Sequence, residues 1–215
     1  MSTGSSFSSP TPPASPPKMT PSSTATHILT LLTEHGEADY IGEPITQLAH
    51  SLQCAHFAAL QSPHDDEYIA AALLHDIGQF LPASTLASLT TSIQSMDGNV
   101  GRIGHEALGA SYLRSLSFPP KVVALVEAHV PAKRFLCAVE KEYYNALSSA
   151  SKASLRFQGG PMSEEEVRAW KEGEWWEEMC RLRKCDDAAK EVDLEVAGVE
   201  AYREVIERCL EVGRT

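Results

Sequence analysis

Ile69-Ala70-Ala71-Ala72-Leu73-Leu74-His75-Asp76-Ile77-Gly78 is the stretch on which the reading of this chain turns. Asp65-Asp66-Glu67 stands just before it and supplies carboxylates where a helix dipole favours them, so the run reads as a helix ending near Gly78. A histidine and an aspartate buried at the end of such an apolar run cost roughly several kcal/mol each unless something satisfies them. A bound metal ion does so. Adjacent helical residues diverge by about 100°, so His75 and Asp76 need not bind alike. One can cap a single ion while the other bridges two.

Outward from this stretch the chain reads as helical almost throughout. His27, Ile28, Leu31 and Leu32 fall at helix spacing, and Gly36 stops that segment. Glu43-Pro44 reads as the opening of a second helix that runs through Ile45, Leu48, Leu52 and Ala55 to about Leu60. Residues 82–103 are rich in Ser and Thr and read as loop with at most a short helix. Helical periodicity returns over Gly104 to Leu116, and Pro119-Pro120 opens a further helix that Pro131 is expected to interrupt or kink. Segments from Glu140, Ser148, Ser163, Gly173 and Val196 also read as helical, with Gly159-Gly160-Pro161 as a clear break. No strand alternation persists and no repeat is visible. The expected class is all-α, one helical bundle with no second domain.

The chain has 215 residues with 43% hydrophobic and 22% charged, a composition suited to one globular domain. Its net charge of −11 argues against nucleic-acid binding, which needs a basic face. The longest apolar runs are too short to span a bilayer. Five cysteines with no Cys-x-x-Cys pair argue against disulfides or a structural zinc, and for a reducing, cytoplasmic setting. Eighteen of the first 24 residues are Ser, Thr or Pro, with one Lys, no Arg and no apolar core of a leader. Residues 1–24 therefore read as a disordered arm, and residues 25–215 as the folded catalytic domain.

The sequence carries eight histidines. Four of them, with two aspartates, fall on apolar-periodic helices in the order His50, His75-Asp76, His105, His129, Asp186. Any one histidine alone reads more simply as a hydrogen-bonded core residue. The ordered set of four imidazoles and two carboxylates is enough to hold two metal ions that share a bridge. The Glu-x-x-His signature of ferritin-like bundles is absent, since Gln47, Ala72, Arg102 and Val126 occupy the positions three before each histidine.

His50, then His75-Asp76, then a distal Asp186 resembles the HD-domain superfamily, many of whose members are metal-dependent phosphohydrolases. The added His105 and His129 resemble its dinuclear branch. Tyr40-Ile41-Gly42-Glu43-Pro44, His129-Val130-Pro131-Ala132-Lys133-Arg134, Gln158-Gly159-Gly160-Pro161-Met162 and Leu182-Arg183-Lys184-Cys185-Asp186-Asp187 narrow the likeness. Together they resemble the HD-domain di-iron oxygenases that cleave organophosphonates, the PhnZ type, with myo-inositol oxygenase as a more distant relative. The resemblance covers about residues 26 to 212.

It implies two iron ions in a mixed-valent Fe(II)/Fe(III) pair and O2 as co-substrate. One iron would take His50, His75 and Asp186, the other His105 and His129, with Asp76 between them. Asp186 is preferred over Asp187 because the family's ligand precedes a Lys by four residues, and Lys190 fits. The resemblance further implies that Lys133 pairs with the phosphonate, helped by Ser151 and Arg183. Glu43 would receive a substrate amine, and Tyr40 would cover the open iron site until substrate arrives. Gln79 departs from the pattern. The phosphonate enzymes place there a His that touches the phosphonate, and the inositol enzyme a Lys; a neutral amide supplies hydrogen bonds without charge.

The function implied is an oxidoreductase, a dioxygenase of phosphonate catabolism. It would cleave the C–P bond of a small 1-hydroxyphosphonate or related hydroxylated acid to a carboxylic acid and phosphate. The alternative is an HD-type metal-dependent phosphohydrolase acting on a phosphate ester, which the same ligands could serve through a metal-bound hydroxide. A binding module with a degenerate site is the third class, and the complete ligand set argues against it. The only partner implied is the small-molecule substrate, with no nucleic acid, no membrane and no obligate protein partner.

Overall fold

The computed structural model describes residues 19–40, 42–89 and 104–213. Among them twelve α-helices form the fold: α1 (Pro21–His35), α2 (Gln47–Gln61), α3 (Asp66–Leu74), α4 (Ile77–Phe80), α5 (Ala83–Leu89), α6 (His105–Ser115), α7 (Pro120–Val139), α8 (Lys141–Ala146), α9 (Ser149–Phe157), α10 (Glu164–Lys171), α11 (Trp176–Ala188) and α12 (Arg203–Val212). A short 3-10 turn (Val199–Tyr202) precedes the last. Strands are absent among the described residues, apart from one isolated bridge between Asp39 and Thr46. The all-α expectation holds.

The apolar run sits where its composition requires. Every residue of α3 from Tyr68 to Leu74 is buried, as befits a helix without a polar face. Helix α3 packs against α2, α7, α11 and α12, with α1 against α12 and α6 against α7 completing the bundle. Asp65 caps α3 by accepting from the Tyr68 N–H at 3.0 Å. The helix does not continue to Gly78. It ends at Leu74, His75 and Asp76 form a turn, and α4 restarts at Ile77.

That break lies against α6 at very short range. A methyl group built on Gly78 would stand 2.0 Å from the His105 carbonyl oxygen, and one on Gly109 would meet Ile77 Cγ2 at 3.0 Å. Two glycines thus let α4 and α6 approach backbone to backbone, which brings His105 to the turn that carries Asp76.

Three features differ from the sequence reading. Helix α1 starts at Pro21 with Thr20 as its cap, so residues 21–24 of the expected arm are helical and Thr24 is buried. Residues 1–18 of that arm lie outside the described residues. Helix α2 starts at Gln47, because Thr46 accepts from the Ala49 N–H at 3.1 Å and takes the cap. Glu43-Pro44 instead belongs to a turn closed by bonds from Tyr40 N–H to the Ile45 carbonyl and from Glu43 N–H to the Tyr40 carbonyl. Pro131 neither ends nor interrupts α7, which runs on to Val139. The short helix allowed for in the loop over 82–103 is α5, and residues 90–103 lie outside the described residues.

Candidate metal centre and its cavity

Five elements deliver the six expected ligands to one place. Helix α2 contributes His50, the turn after α3 His75 and Asp76, the first residue of α6 His105, α7 His129, and the last turn of α11 Asp186. All six are buried.

The carboxylate of Asp76 stands between two histidine pairs. Its Oδ1 lies 3.0 Å from His105 Nε2 and 3.5 Å from His129 Nε2. Its Oδ2 lies 3.4 Å from His75 Nε2 and 3.8 Å from His50 Nε2. Asp186 adds Oδ1 at 3.4 Å from His50 Nε2 and Oδ2 at 3.8 Å from His75 Nε2. Within the pairs, the Nε2 atoms of His50 and His75 are 3.0 Å apart, and those of His105 and His129 are 2.9 Å apart.

Three of the rings are pinned from behind. His50 Nδ1 donates to the Ala189 carbonyl at 2.7 Å, His75 Nδ1 to the Ala72 carbonyl at 2.8 Å, and His129 Nδ1 to the Val126 carbonyl at 2.7 Å. A carbonyl only accepts, so each Nδ1 carries a proton, and each ring, when neutral, turns its Nε2 lone pair inward. Lone pairs facing one another at about 3 Å are stable only with positive charge between them. Ligands cis to one another on an ion with bonds of ~2.1 Å sit ~3 Å apart, close to the separations seen.

The electrostatics agree. Burial alone raises a carboxyl's pKa, yet His75, His105 and His129 hold Asp76 well below the usual range. Against the same burial, Arg183 and His75 hold Asp186 well below it too. Burial would lower the pKa of His75, but the Asp76 and Asp186 carboxylates outweigh it and lift it well above the usual value. The centre therefore attracts positive charge at His75 Nε2, for which a proton and a metal ion compete. One oxygen, Asp186 Oδ1, is buried without a hydrogen-bond partner among the described residues. Imidazole and carboxylate donors with that orphaned oxygen fit two ions of the iron, manganese or zinc type.

A cavity of about 410 Å³ opens on one side of this centre. Asp76, His105, His129 and Asp186 face it, whereas His50 and His75 lie behind. All six residues expected at the substrate, Tyr40, Glu43, Gln79, Lys133, Ser151 and Arg183, line it. Tyr40 lies flat on His50. Lys133 donates to Ser154 Oγ at 2.9 Å, and burial, then the neighbouring Arg183, brings its pKa down to about 7. Arg183 is held by carboxylates: Nη1 donates to Asp186 Oδ2 at 2.6 Å, and Nη2 and Nε bond Asp187. It thus braces a ligand as well as facing the cavity.

Sequence reasoning passed over Gln47, Ser154, Gln158 and Lys190, which also line the cavity. Lys190 donates to Ser151 Oγ at 3.0 Å and stands 3.4 Å from Glu43 Oε1. The signal for Ser154 was the spacing of Ser148, Ser151 and Ser154, three residues apart on one face of α9 and its cap.

Residues 48–155 match the HD domain family. The chain is 37% identical to the hydroxymethylphosphonate dioxygenase of Gimesia maris, over 89% of this chain and 90% of that protein. It is 36% identical to the 1-hydroxy-2-(trimethylamino)ethylphosphonate dioxygenase (glycine-betaine-forming) of Leisingera caerulea, over 84% and 87%. An uncharacterized protein of Acanthamoeba polyphaga mimivirus is 31% identical over 83% and 78%.

Proposed function

The chain belongs to the HD-domain family, beside its phosphonate dioxygenases, and from that premise we propose that it is a di-iron oxygenase of small 1-hydroxyphosphonates. The reaction takes one O2, breaks the C–P bond and yields a carboxylic acid and inorganic phosphate. R–CH(OH)–PO3H2 plus O2 gives R–COOH plus H3PO4, which balances without a further reductant.

The observation that carries the reading is the Asp76 carboxylate, with one oxygen turned to each histidine pair. His50, His75 and Asp186 would hold one iron and His105 and His129 the other. When bound, the pair supplies a Lewis acid for the substrate hydroxyl and a redox centre for O2. The chain's own residues bind and orient. Lys133, which donates to Ser154, is the cation offered to the phosphonate, and Ser151, bonded by Lys190, lines the same cavity. Arg183 keeps Asp186 ionised and in place. Gln79 offers an amide, which orients by hydrogen bonds and adds no charge. Glu43 lines the cavity with its Oε1 3.4 Å from the Lys190 ammonium, and a cationic or N–H-bearing group on C2 of the substrate would share that carboxylate with Lys190. Tyr40 shields His50 from solvent on the cavity side.

Two features support a soluble setting for this chemistry. Among the described residues no helix is long and apolar enough to cross a membrane. The five cysteines are free thiols, which suits a reducing cytoplasm.

The test is phosphate release from hydroxymethylphosphonate by iron-loaded, partly reduced protein, with O2 uptake followed in parallel. Phosphate and O2 in equal amounts, with an EPR signal of a coupled Fe(II)/Fe(III) pair that shifts on adding the substrate, is the expected result. Phosphate released without O2, from a phosphate ester and with Mn(II), would replace the oxygenase reading by phosphohydrolysis.

A further inference from the structure

The segment that follows α11 has no regular structure, yet three consecutive residues of it serve the centre. The Ala189 carbonyl accepts the His50 Nδ1 proton at 2.7 Å. The Lys190 ammonium reaches Ser151 and Glu43 in the cavity. Glu191 points its side chain outward, but its backbone is taken on both sides by one residue, Gln53. Gln53 Nε2 donates to the Glu191 carbonyl at 2.7 Å, and the Glu191 N–H donates to Gln53 Oε1 at 3.0 Å.

Gln53 is 2% exposed. It stands three residues after His50 on α2, so both side chains leave the same face of the helix toward the same strip of backbone. Its carboxamide acts as a one-residue strand partner. It offers one donor and one acceptor to Glu191, two residues past the cap where the Ala189 N–H still bonds the Cys185 carbonyl at 3.0 Å. The contact spans 138 positions of sequence and ties the two elements that carry His50 and Asp186.

We infer that Gln53 is a positioning residue for the half of the metal centre made by His50, His75 and Asp186. By holding Glu191 it holds Ala189 two residues earlier, and the Ala189 carbonyl fixes which His50 nitrogen carries the proton. With Gln53 in place, His50 Nε2 is kept bare and aimed inward. Without it, the last turn of α11 alone aims the Ala189 carbonyl, the bond to Nδ1 weakens, and the imidazole is freer to change tautomer and turn. Partners of this kind behind a ligand histidine are worth about ten- to hundredfold in metal affinity. The inference rests on the dinuclear reading of the centre and not on the identity of the substrate.

The test is anaerobic Fe(II) titration of the full chain against a competing chelator, without substrate, for the native protein, Gln53→Met and Gln53→Asn. Methionine keeps the volume and loses both hydrogen bonds. Asparagine keeps both polar groups and falls one methylene short. The expected result is that one of two Fe(II) affinities falls ten- to hundredfold in Gln53→Met while the other holds. At limiting metal, binding then drops from two ions per chain toward one. In the metal-free protein, the nitrogen NMR shifts of His50 move from a pure Nδ1–H tautomer toward a mixture. Two unchanged affinities in a folded variant would overturn the inference. So would equal loss at both sites in step with a lower melting temperature, which would mark Gln53 as a packing residue only. If Gln53→Met does not fold, Gln53→Asn is read by the same criteria, and failure of both to fold counts against it. A protein that binds two irons as expected but leaves hydroxyphosphonates intact would defeat the oxygenase reading and leave this one standing.

Discussion

Tyr40 lies face to face on His50, with ring centroids 3.9 Å apart and planes 17° from parallel. Bonds from the Tyr40 N–H to the Ile45 carbonyl and from the Glu43 N–H to the Tyr40 carbonyl hold its backbone there, and Lys190 stands 6.0 Å from the centre of the phenol ring. Burial first, then the carboxylates of Asp186 and Asp76, pushes the Tyr40 pKa well above that of free tyrosine, so the phenol stays neutral at working pH. In the proposed centre Tyr40 would cover the ligand His50 by stacking on it. Tyr40→Phe keeps the stack and is expected to retain iron as the native protein does. Tyr40→Ala removes it, and an aromatic pair worth about 0.5–1.5 kcal/mol corresponds to roughly threefold to tenfold faster iron loss. The rate at which a chelator strips iron without substrate checks this. Equal rates in Tyr40→Ala and native protein would show that the ring gives no cover.

Lys133, proposed to bind the phosphonate, is expected to set a pH limit on substrate binding. Burial is the main cause of its low pKa, with the Arg183 guanidinium second, and the value is about 7. A phosphonate dianion binds the ammonium and not the amine. Raising the pH through about 7 removes the proton, so binding weakens; lowering it restores the ammonium until the phosphonate itself is protonated. KM for a hydroxyphosphonate is expected to rise up to about tenfold per pH unit on the alkaline side. Lys133→Met is expected to bind about ten- to hundredfold more weakly, the range for a lost hydrogen bond to a charged group, and to show no alkaline limb. KM against pH for both proteins decides. The same alkaline limb in Lys133→Met would assign it to another group.

Gly78 fixes how closely α4 and α6 approach. A Cβ there would stand 2.0 Å from the His105 carbonyl oxygen and 3.0 Å from the Gly109 nitrogen, both of them backbone atoms that cannot swing aside. Gly78→Ala must push the turn of Asp76 away from the first turn of α6. Overpacking of this kind costs about 1–3 kcal/mol or more, and the shift separates Asp76 Oδ1 from His105 Nε2. The variant is expected to melt several degrees lower and to bind the ion at His105 and His129 more weakly than the ion at His50 and His75. Calorimetry of the metal-free protein with a metal titration measures both. An unchanged melting temperature would mean that the two helices have slack.

The parts of this architecture that could be read from sequence are those where chemistry and local pattern coincide. His75-Asp76 stands out because a polar pair ends an apolar run, and α3 proves to be the buried centre of the bundle. The six side chains proposed as ligands come together from successive elements. What stayed hidden depends on contacts across the chain. Glu43-Pro44 has the local chemistry of a helix start, yet Thr46 competes successfully for the cap, and the turn left over carries Tyr40 and Glu43 to the cavity. Pro131 reads as a breaker because it lacks an N–H, but the packing of α7 against α3, α6 and α11 outweighs one missing bond. Gln53 and Glu191, 138 positions apart, carry no mutual signal in sequence.

Asp186 and Asp187 are adjacent, and their surroundings separate them. Asp186 has Oδ1 toward His50 Nε2 at 3.4 Å and Oδ2 on Arg183 Nη1 at 2.6 Å. Asp187 turns to Tyr143, whose hydroxyl donates to its Oδ2, and to the Nε and Nη2 groups of the same Arg183. One guanidinium thus spans both carboxylates, and only one of them faces the histidines. Asp186→Asn is expected to remove the charge that balances a metal ion and to lower bound iron from two per chain to one. Asp187→Asn is expected to keep two irons, because Arg183 still holds Asp186. It should lower stability by about 1–3 kcal/mol as a part-buried charged hydrogen-bond pair is weakened. Iron analysis of the two variants, with their melting temperatures, separates the roles. Iron lost in Asp187→Asn and kept in Asp186→Asn would move the ligand one residue along the chain and would make Arg183 the brace of the wrong carboxylate.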